Sequence, residues 1–375
     1  MRTRGAVIRK APGEYEVVDL DLDDPRPGEV TVRIEAAGLC HSDDHIATGD
    51  LPVGVYPFAG GHEGAGVVVE APPNHKGIAV GDHVVLSFVP ACGRCRWCAI
   101  GRSNFCDLGA NALVGSRFAD PTDFRLHLAD SGEPVGQMAG ISTFCEHTTV
   151  SVDSVVKVPD DLPMTSLCLL SCGVGTGWGS AVNDAGIAPG DTVIVMGIGG
   201  VGIHAVQGAA HKGATTVIAV DPQAWKTSLA QEVGATHGVA TIAEAGEIAR
   251  STTNGQGADA AIVTVGVTGP SHVGEALATV RKAGTCVVTG VGDMTVVGAD
   301  IPLGRLTLFG QRLQGTLFGS SAANSDILRH IELYRAGRLE LDRMVTRTYA
   351  LDEIASAYRD MHDGRNIRGV VVPQH

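Results

Sequence analysis

Apolar and polar positions alternate in short runs through the first part of the chain. Residues 5–9, 15–20, 29–37, 64–70 and 83–86 gather β-branched and aliphatic side chains in stretches too short for a helical stripe. Pro25-Arg26-Pro27-Gly28, Pro72-Pro73-Asn74 and Gly81-Asp82 punctuate them as turns. This pattern predicts a mainly β domain whose loops carry the polar chemistry. From Thr192 the period changes. An apolar strand at 192–196, a helix at 201–212 and a second strand at 217–220 come in close succession. Strands at 260–265, 285–289 and 312–318 follow, with a helix near 271–282. Such alternation predicts a doubly wound parallel sheet. Helical stretches at 325–336 and 352–363 and a last strand at 368–372 are expected to return to the first domain. The expected division is 1–172, completed by 321–375, with 173–320 as the second domain.

At 375 residues, 44% of them hydrophobic, the chain can bury two cores. A formal charge of −13 argues against a phosphate-backbone footprint, so nucleic acid is not an expected partner. No apolar run reaches the length of a membrane span, and residues 1–21 lack the apolar centre of an export signal. A cytoplasmic protein is expected. Nine cysteines, an odd number in an unsecreted chain of this size, suggest metal ligands rather than disulfides.

Four of them fall in Cys92-x2-Cys95-x2-Cys98-x7-Cys106, the most specific local signal in the chain. Four thiolates at such spacings can close a tetrahedron around zinc and leave no open position, the structural pattern. Arg94, Arg96 and Arg102 are interleaved and would offset its negative charge. The rivals are a loop of free or disulfide-bonded cysteines and a DNA-binding zinc ribbon; the net charge disfavours the second. A second constellation runs Cys40-His41-Ser42-Asp43-Asp44-His45 and closes at His62-Glu63. Alone it reads equally as a buried thiol with surface imidazoles. Cys172, in Leu169-Leu170-Ser171-Cys172-Gly173, supplies a third donor. Cys40, His62 and Cys172 would form a Cys2His set with one open position, the catalytic pattern.

After the strand at 192–196 comes Gly197-Ile198-Gly199-Gly200-Val201-Gly202, then a helix, a strand and Asp221. This is a dinucleotide fingerprint in its confirming context. Gly197 allows the turn, Gly199 admits the pyrophosphate, and Gly202 lets helix and strand close. Asp221 would bind the adenosine ribose and repel a 2′-phosphate, which selects NAD over NADP.

In this order the two metal patterns and the glycine turn resemble the zinc-dependent medium-chain alcohol dehydrogenases over essentially the whole chain. Gly173-Val174-Gly175-Thr176-Gly177 and Asn366-Ile367-Arg368 extend the resemblance. It implies a GroES-like, mainly β catalytic domain plus a Rossmann coenzyme domain, two zinc ions per chain, NAD, and a homo-oligomer, dimer or tetramer. Carried over residue by residue, Cys40, His62 and Cys172 hold the catalytic zinc and Cys92, Cys95, Cys98 and Cys106 the structural one. Glu63 is an occasional zinc partner and Asp43 orients His62. Ser42 takes the alcohol proton, which travels by the nicotinamide ribose to His45. His41 and Arg368 face the pyrophosphate, Lys226 joins Asp221 at the ribose, and Thr176, Gly200 and Val201 complete the coenzyme contacts. Phe88 would line the substrate channel.

His41 replaces the Arg of the liver-type members, and the spacing from Cys40 to His62 is one residue longer than theirs. Thr48-Gly49-Asp50-Leu51-Pro52 and the tail of the zinc lobe are most similar to the bacterial nicotinoprotein branch. That branch keeps NAD(H) bound through turnover and passes electrons to an external acceptor. The expected reaction interconverts a primary alcohol and its aldehyde. Alternatives are a thiol-adduct formaldehyde dehydrogenase of the same family, a zinc-free quinone reductase, and a non-catalytic NAD-binding protein.

Overall fold

The computed structural model describes residues 1–375. The chain forms two compact units: Met1–Cys172 with Ala322–Tyr334 and Leu341–His375, and Gly173–Ser321 with Arg335–Glu340.

In the first unit the strand Glu29–Gly38 organises a seven-stranded sheet. Its alternation puts Val30, Val32 and Ile34 fully out of solvent. Each such side chain contributes roughly 1.5–3 kcal/mol through burial. Gly64–Glu70 and His147–Ser151 pair with it antiparallel. The last strand, Arg368–Val371, also pairs with it, setting Val370 opposite Gly38. A second sheet closes into a barrel from Arg2–Ile8, Glu16–Leu22, Leu126–Leu128, Pro134–Gln137 and Phe58–Ala59. The helix Ile354–His362 buries Ile354, Ala357 and Tyr358 in the same core as Val30, Val32 and Ile34. There the Tyr358 ring stacks on Tyr15 at 5.3 Å.

Two expectations are corrected. The stretch after Cys40, expected as a loop, is an α-helix, His41–Thr48. Cys40 caps it in an extended conformation, and Asp43 and Asp44 sit in its first turn, where negative charge meets the positive end of the helix. Its buried face includes Asp43, Asp44 and His45 as well as Ile46 and Ala47, so no apolar stripe announced it. The helix expected near 271–282 is Pro270–Thr279, and the chain passes directly into the strand Val280–Val288.

The second unit holds six parallel strands in the order His237–Val239, Thr216–Val220, Thr192–Met196, Ala258–Val263, Val280–Val288, Arg312–Gly315. Sequence order reverses at the first strand, Thr192–Met196, the topology that binds dinucleotides outside the strand ends. The helix Gly202–His211 follows that strand.

Candidate metal centre and coenzyme site

Four donors converge in the first unit. Ligand atoms of Cys40, His62, Glu63 and Cys172 all lie within 4.8 Å of one another. Each arrives by a different device. Cys40 is the N-cap of the helix His41–Thr48. His62 follows Gly61, whose φ of 91° belongs to the left-handed region and turns the chain. Cys172 is tethered through its neighbour: Ser171 Oγ accepts from the Gly64 amide and donates to the Gly64 carbonyl, both at 3.0 Å. That pair of hydrogen bonds pins Ser171 against Gly64, the residue that follows Glu63. Asp43, fully buried, accepts from the Gly61 amide and from His62 Nδ1, both at 2.8 Å. With the ring proton on Nδ1, His62 presents Nε2 to the other donors.

The electrostatics suit a cation. The Cys40 thiol is held well below its ordinary value by hydrogen bonding to Cys172 and by His62, against burial. Burial pulls His62 down, but Asp43 and Cys40 outweigh it and drive the imidazole well above its usual range. Burial pushes the Glu63 carboxyl up to about 7, opposed by Arg368. Glu63 Oε2 is paired with the Arg368 guanidinium, while Glu63 Oε1 is buried without a hydrogen-bond partner. Two sulfurs, an imidazole and an unpaired carboxylate oxygen form a donor set that fits zinc.

The expected proton-relay residues lie on the same helix. Ser42 Oγ is 3.8 Å from Cys40 Sγ. His45 is 1% exposed, and its Nδ1 lies 3.0 Å from Asp50 Oδ2. His41 is half-buried, and its pKa is lowered by that burial; Asp44 beside it is bonded to His362 Nε2 at 2.8 Å. Phe88 meets His62 edge-on at 5.5 Å between ring centres. Arg368, expected at a pyrophosphate, is 3% exposed and engages Glu63. Sequence reasoning missed Asp50 and Ser171 as partners. The Asp50 signal was its place just after the glycine that ends the helix; Ser171 gave none beyond its adjacency to Cys172.

Cys92, Cys95, Cys98 and Cys106 form the second set, their sulfurs also within 4.8 Å of one another. The pairs Cys92–Cys98 and Cys95–Cys106 are 4.0 Å apart. A zinc tetrahedron with bonds of ~2.3 Å has edges of about 3.8 Å, so the cluster fits the ion closely. Backbone amides donate to the sulfurs: Cys95 N to Cys92, Cys98 N to Cys95 and Cys92 N to Cys106. The Cys98 amide leads in lowering the Cys95 thiol to about 6. No disulfide links any of the cysteines.

In the second unit the glycine turn has the three properties a dinucleotide requires. Gly197 has φ 94°. A Cβ at Gly199 would meet nothing within 4 Å, which leaves room for a pyrophosphate, whereas one at Gly202 would overlap the Gly197 carbonyl. Gly200 and Val201 lie between them, with Val201 at the N-cap of the helix. Thr264, unforeseen from the sequence, ties the turn by donating to the Gly197 carbonyl at 2.6 Å. Asp221 accepts from the Ile198 and Gln223 amides, both at 2.9 Å. Lys226 is buried near Asp221, and that burial lowers its pKa against the attraction of the carboxylate. Thr176 is buried in the helix Gly173–Gly179. The turn fits the pyrophosphate of a dinucleotide.

Two thiols and an imidazole beside an unbonded carboxylate oxygen, on a chain that also carries this turn, are the parts of a metal-assisted dehydrogenase. Residues 26–160 match the alcohol dehydrogenase GroES-like domain, and residues 200–333 the zinc-binding dehydrogenase domain. The chain is 47% identical over 372 residues to the NDMA-dependent alcohol dehydrogenase of Amycolatopsis methanolica, covering 99% of each. It is 33% identical over 387 residues to the S-(hydroxymethyl)glutathione dehydrogenase of Paracoccus denitrificans, covering 99% of this chain and 100% of that one. Among solved structures, an alcohol dehydrogenase zinc-binding domain protein from Burkholderia ambifaria superposes with a TM-score of 0.91 at 33% identity over 100% of both chains. The chain belongs to the zinc-dependent medium-chain alcohol dehydrogenase family, and its likeness to the NDMA-dependent enzyme supports the nicotinoprotein branch. It is an oxidoreductase acting on CH–OH groups. No helix is long and apolar enough to cross a membrane.

Proposed function

We propose that the enzyme interconverts primary alcohols and aldehydes with NAD(H) that stays bound through turnover, its electrons exchanged with an external acceptor. The convergence of Cys40, His62, Glu63 and Cys172 on one point carries the dehydrogenase reading, and the 47% identity to an NDMA-dependent alcohol dehydrogenase supports the external acceptor. We assign catalysis to Met1–Cys172, completed by 321–375, and NAD binding to 173–320. The catalytic zinc would be held by Cys40, His62 and Cys172, with Glu63 Oε1 in reserve, and a second zinc by Cys92, Cys95, Cys98 and Cys106. Zinc, when bound, supplies Lewis acidity of the kind that brings water from a pKa of ~15.7 to ~7, and NAD supplies the hydride acceptor.

The protein's own residues do the rest. Asp43 fixes the His62 tautomer. Ser42 accepts the hydroxyl proton, and His45 passes it on to solvent. Phe88 walls the alcohol. Gly197, Gly199, Gly200, Val201 and Gly202 cradle the pyrophosphate with Thr176, while Asp221 and Lys226 hold the adenosine ribose; Arg368 adds positive potential, and His41, its pKa lowered by burial, serves as a neutral hydrogen-bonding group. The balance is one hydride lost from carbon and one proton from oxygen; the acceptor later takes the hydride's two electrons.

Two further assignments belong to this reading. Six of the nine cysteines gather in the two donor sets, which supports a reducing, cytoplasmic setting. The strand Arg312–Gly315 is exposed at the end of its sheet, and Val297, Leu303 and Leu308 are 92%, 74% and 83% exposed. An open strand edge and exposed apolar side chains support a homo-oligomer. To test the function, purified protein is denatured, and released zinc and NAD(H) are counted. Turnover with added NAD is compared with turnover on an artificial acceptor. Near-stoichiometric coenzyme with acceptor-dependent turnover supports the proposal. Coenzyme-free protein that turns over only with added NAD refutes retention, and activity confined to hydroxymethyl-thiol adducts would select the formaldehyde dehydrogenase reading.

A further inference from the structure

The helix His41–Thr48 ends in a turn that brings a carboxylate back onto one of its own side chains. Gly49 adopts φ 94°, and its amide donates to the His45 carbonyl at 3.0 Å. The Leu51 amide donates to the same carbonyl at 3.0 Å, and Thr48 Oγ1 reaches it at 3.3 Å. Leu51 packs on Ile46, Phe58 and Met138, which anchors the far side of the turn. Asp50 is thereby fixed between two tethered neighbours, with Oδ2 3.0 Å from His45 Nδ1. The ring is buried, and the Asp50 side chain is 27% exposed, at the edge of solvent.

We infer that Asp50 is a positioning residue for the proton relay, acting through His45. A carboxylate only accepts, so the neutral ring carries its proton on Nδ1 and keeps Nε2 as its lone-pair nitrogen. A proton reaching Nε2 forms an imidazolium while Nδ1–H stays bonded to Asp50. Transfer of the Nε2 proton to water restores the ring and completes the balance: one proton leaves the alcohol and one reaches solvent. Without Asp50 the ring could turn or adopt the other tautomer, placing N–H where the relay needs an acceptor. This inference rests on the proposed role of His45 and adds the group that prepares it.

The test uses the holoenzyme in single turnovers, following reduced nicotinamide near 340 nm after alcohol is added, in H2O and D2O. Asp50→Ala should slow the step by about 100-fold with little change in the alcohol's KM. The solvent isotope effect should rise as proton movement becomes limiting. Asp50→Glu should recover much of the lost rate, and Asp50→Asn, which can either donate or accept, should fall between. The double variant His45→Gln/Asp50→Ala should be no slower than His45→Gln alone, because both act on one element. Several results would overturn the inference: a native rate in Asp50→Ala, a loss confined to KM, an unchanged isotope effect, or independent losses in the double variant. A native rate in His45→Gln would instead remove the relay reading itself, whatever Asp50 does.

Discussion

Replacing Asp43 by asparagine removes one charge and almost no volume, yet the structure predicts that it weakens zinc binding selectively at one of the two donor sets. Both carboxylate oxygens of Asp43 accept: Oδ1 from the Gly61 amide and Oδ2 from His62 Nδ1, each at 2.8 Å and fully buried. An amide has one acceptor and one donor end. If its NH2 faces Gly61, two donors oppose each other in a site without solvent, at a cost of about 1–3 kcal/mol. If it faces His62, the ring must accept at Nδ1 and carry its proton on Nε2, the nitrogen aimed at Cys40 and Cys172. Loss of such an outer partner typically lowers metal affinity by ~10–100-fold, or about 1.4–2.7 kcal/mol. Chelator competition with zinc counted by atomic absorption should release about one zinc per chain early in Asp43→Asn, in step with loss of alcohol oxidation. The remaining zinc, held by Cys92, Cys95, Cys98 and Cys106, should leave as in the native enzyme. Native retention of both ions by Asp43→Asn would refute the assigned hydrogen-bond roles.

Three further outcomes are expected. Gly202→Ala would drive a methyl into the Gly197 carbonyl and to 2.8 Å from Thr264 Oγ1, so coenzyme content after purification should fall severalfold while the zinc count stays native; undiminished NAD(H) would count against the pyrophosphate assignment. Cys95→Ser should lose one zinc per chain and melt several degrees lower, since apparent structural-zinc binding is on the order of 10–16 kcal/mol; unchanged metal content and melting temperature would exclude a structural zinc there. Burial lowers His330 to about 4, below its unfolded value of ~6.5, so the unfolded chain binds the extra proton between those values. Its contribution of about 3 kcal/mol is therefore complete above pH ~6.5 and lost as pH falls toward 4. Urea unfolding at pH 7 and pH 5 should show a smaller acid loss in His330→Leu than in the native chain.

The contrast between readable and unreadable parts follows chain distance. The alternation in Glu29–Gly38 announced a strand because one period governs both burial and backbone. The helix His41–Thr48 escaped notice because its buried positions are polar, and polar burial is decided by partners supplied from elsewhere. Asp43 is buried because Gly61 and His62 satisfy it, and Asp44 because His362, 318 residues away, does. Arg368 meets Glu63, 305 residues distant, a pairing that no local pattern announced.

By itself the sequence determined the four-thiol lobe and the glycine turn, because the groups that must meet there are separated by a few residues and backbone geometry alone brings them together. It also determined the alternation of strands and helices from which the parallel sheet is built. Tertiary structure decided the metal centre's surroundings. The Ser171–Gly64 bonds, 107 residues apart, tether Cys172 beside His62, and the pairing of Arg368 leaves one Glu63 oxygen unbonded. Such contacts join distant segments whose approach depends on how whole sheets pack, and no local pattern of apolar and polar residues encodes that.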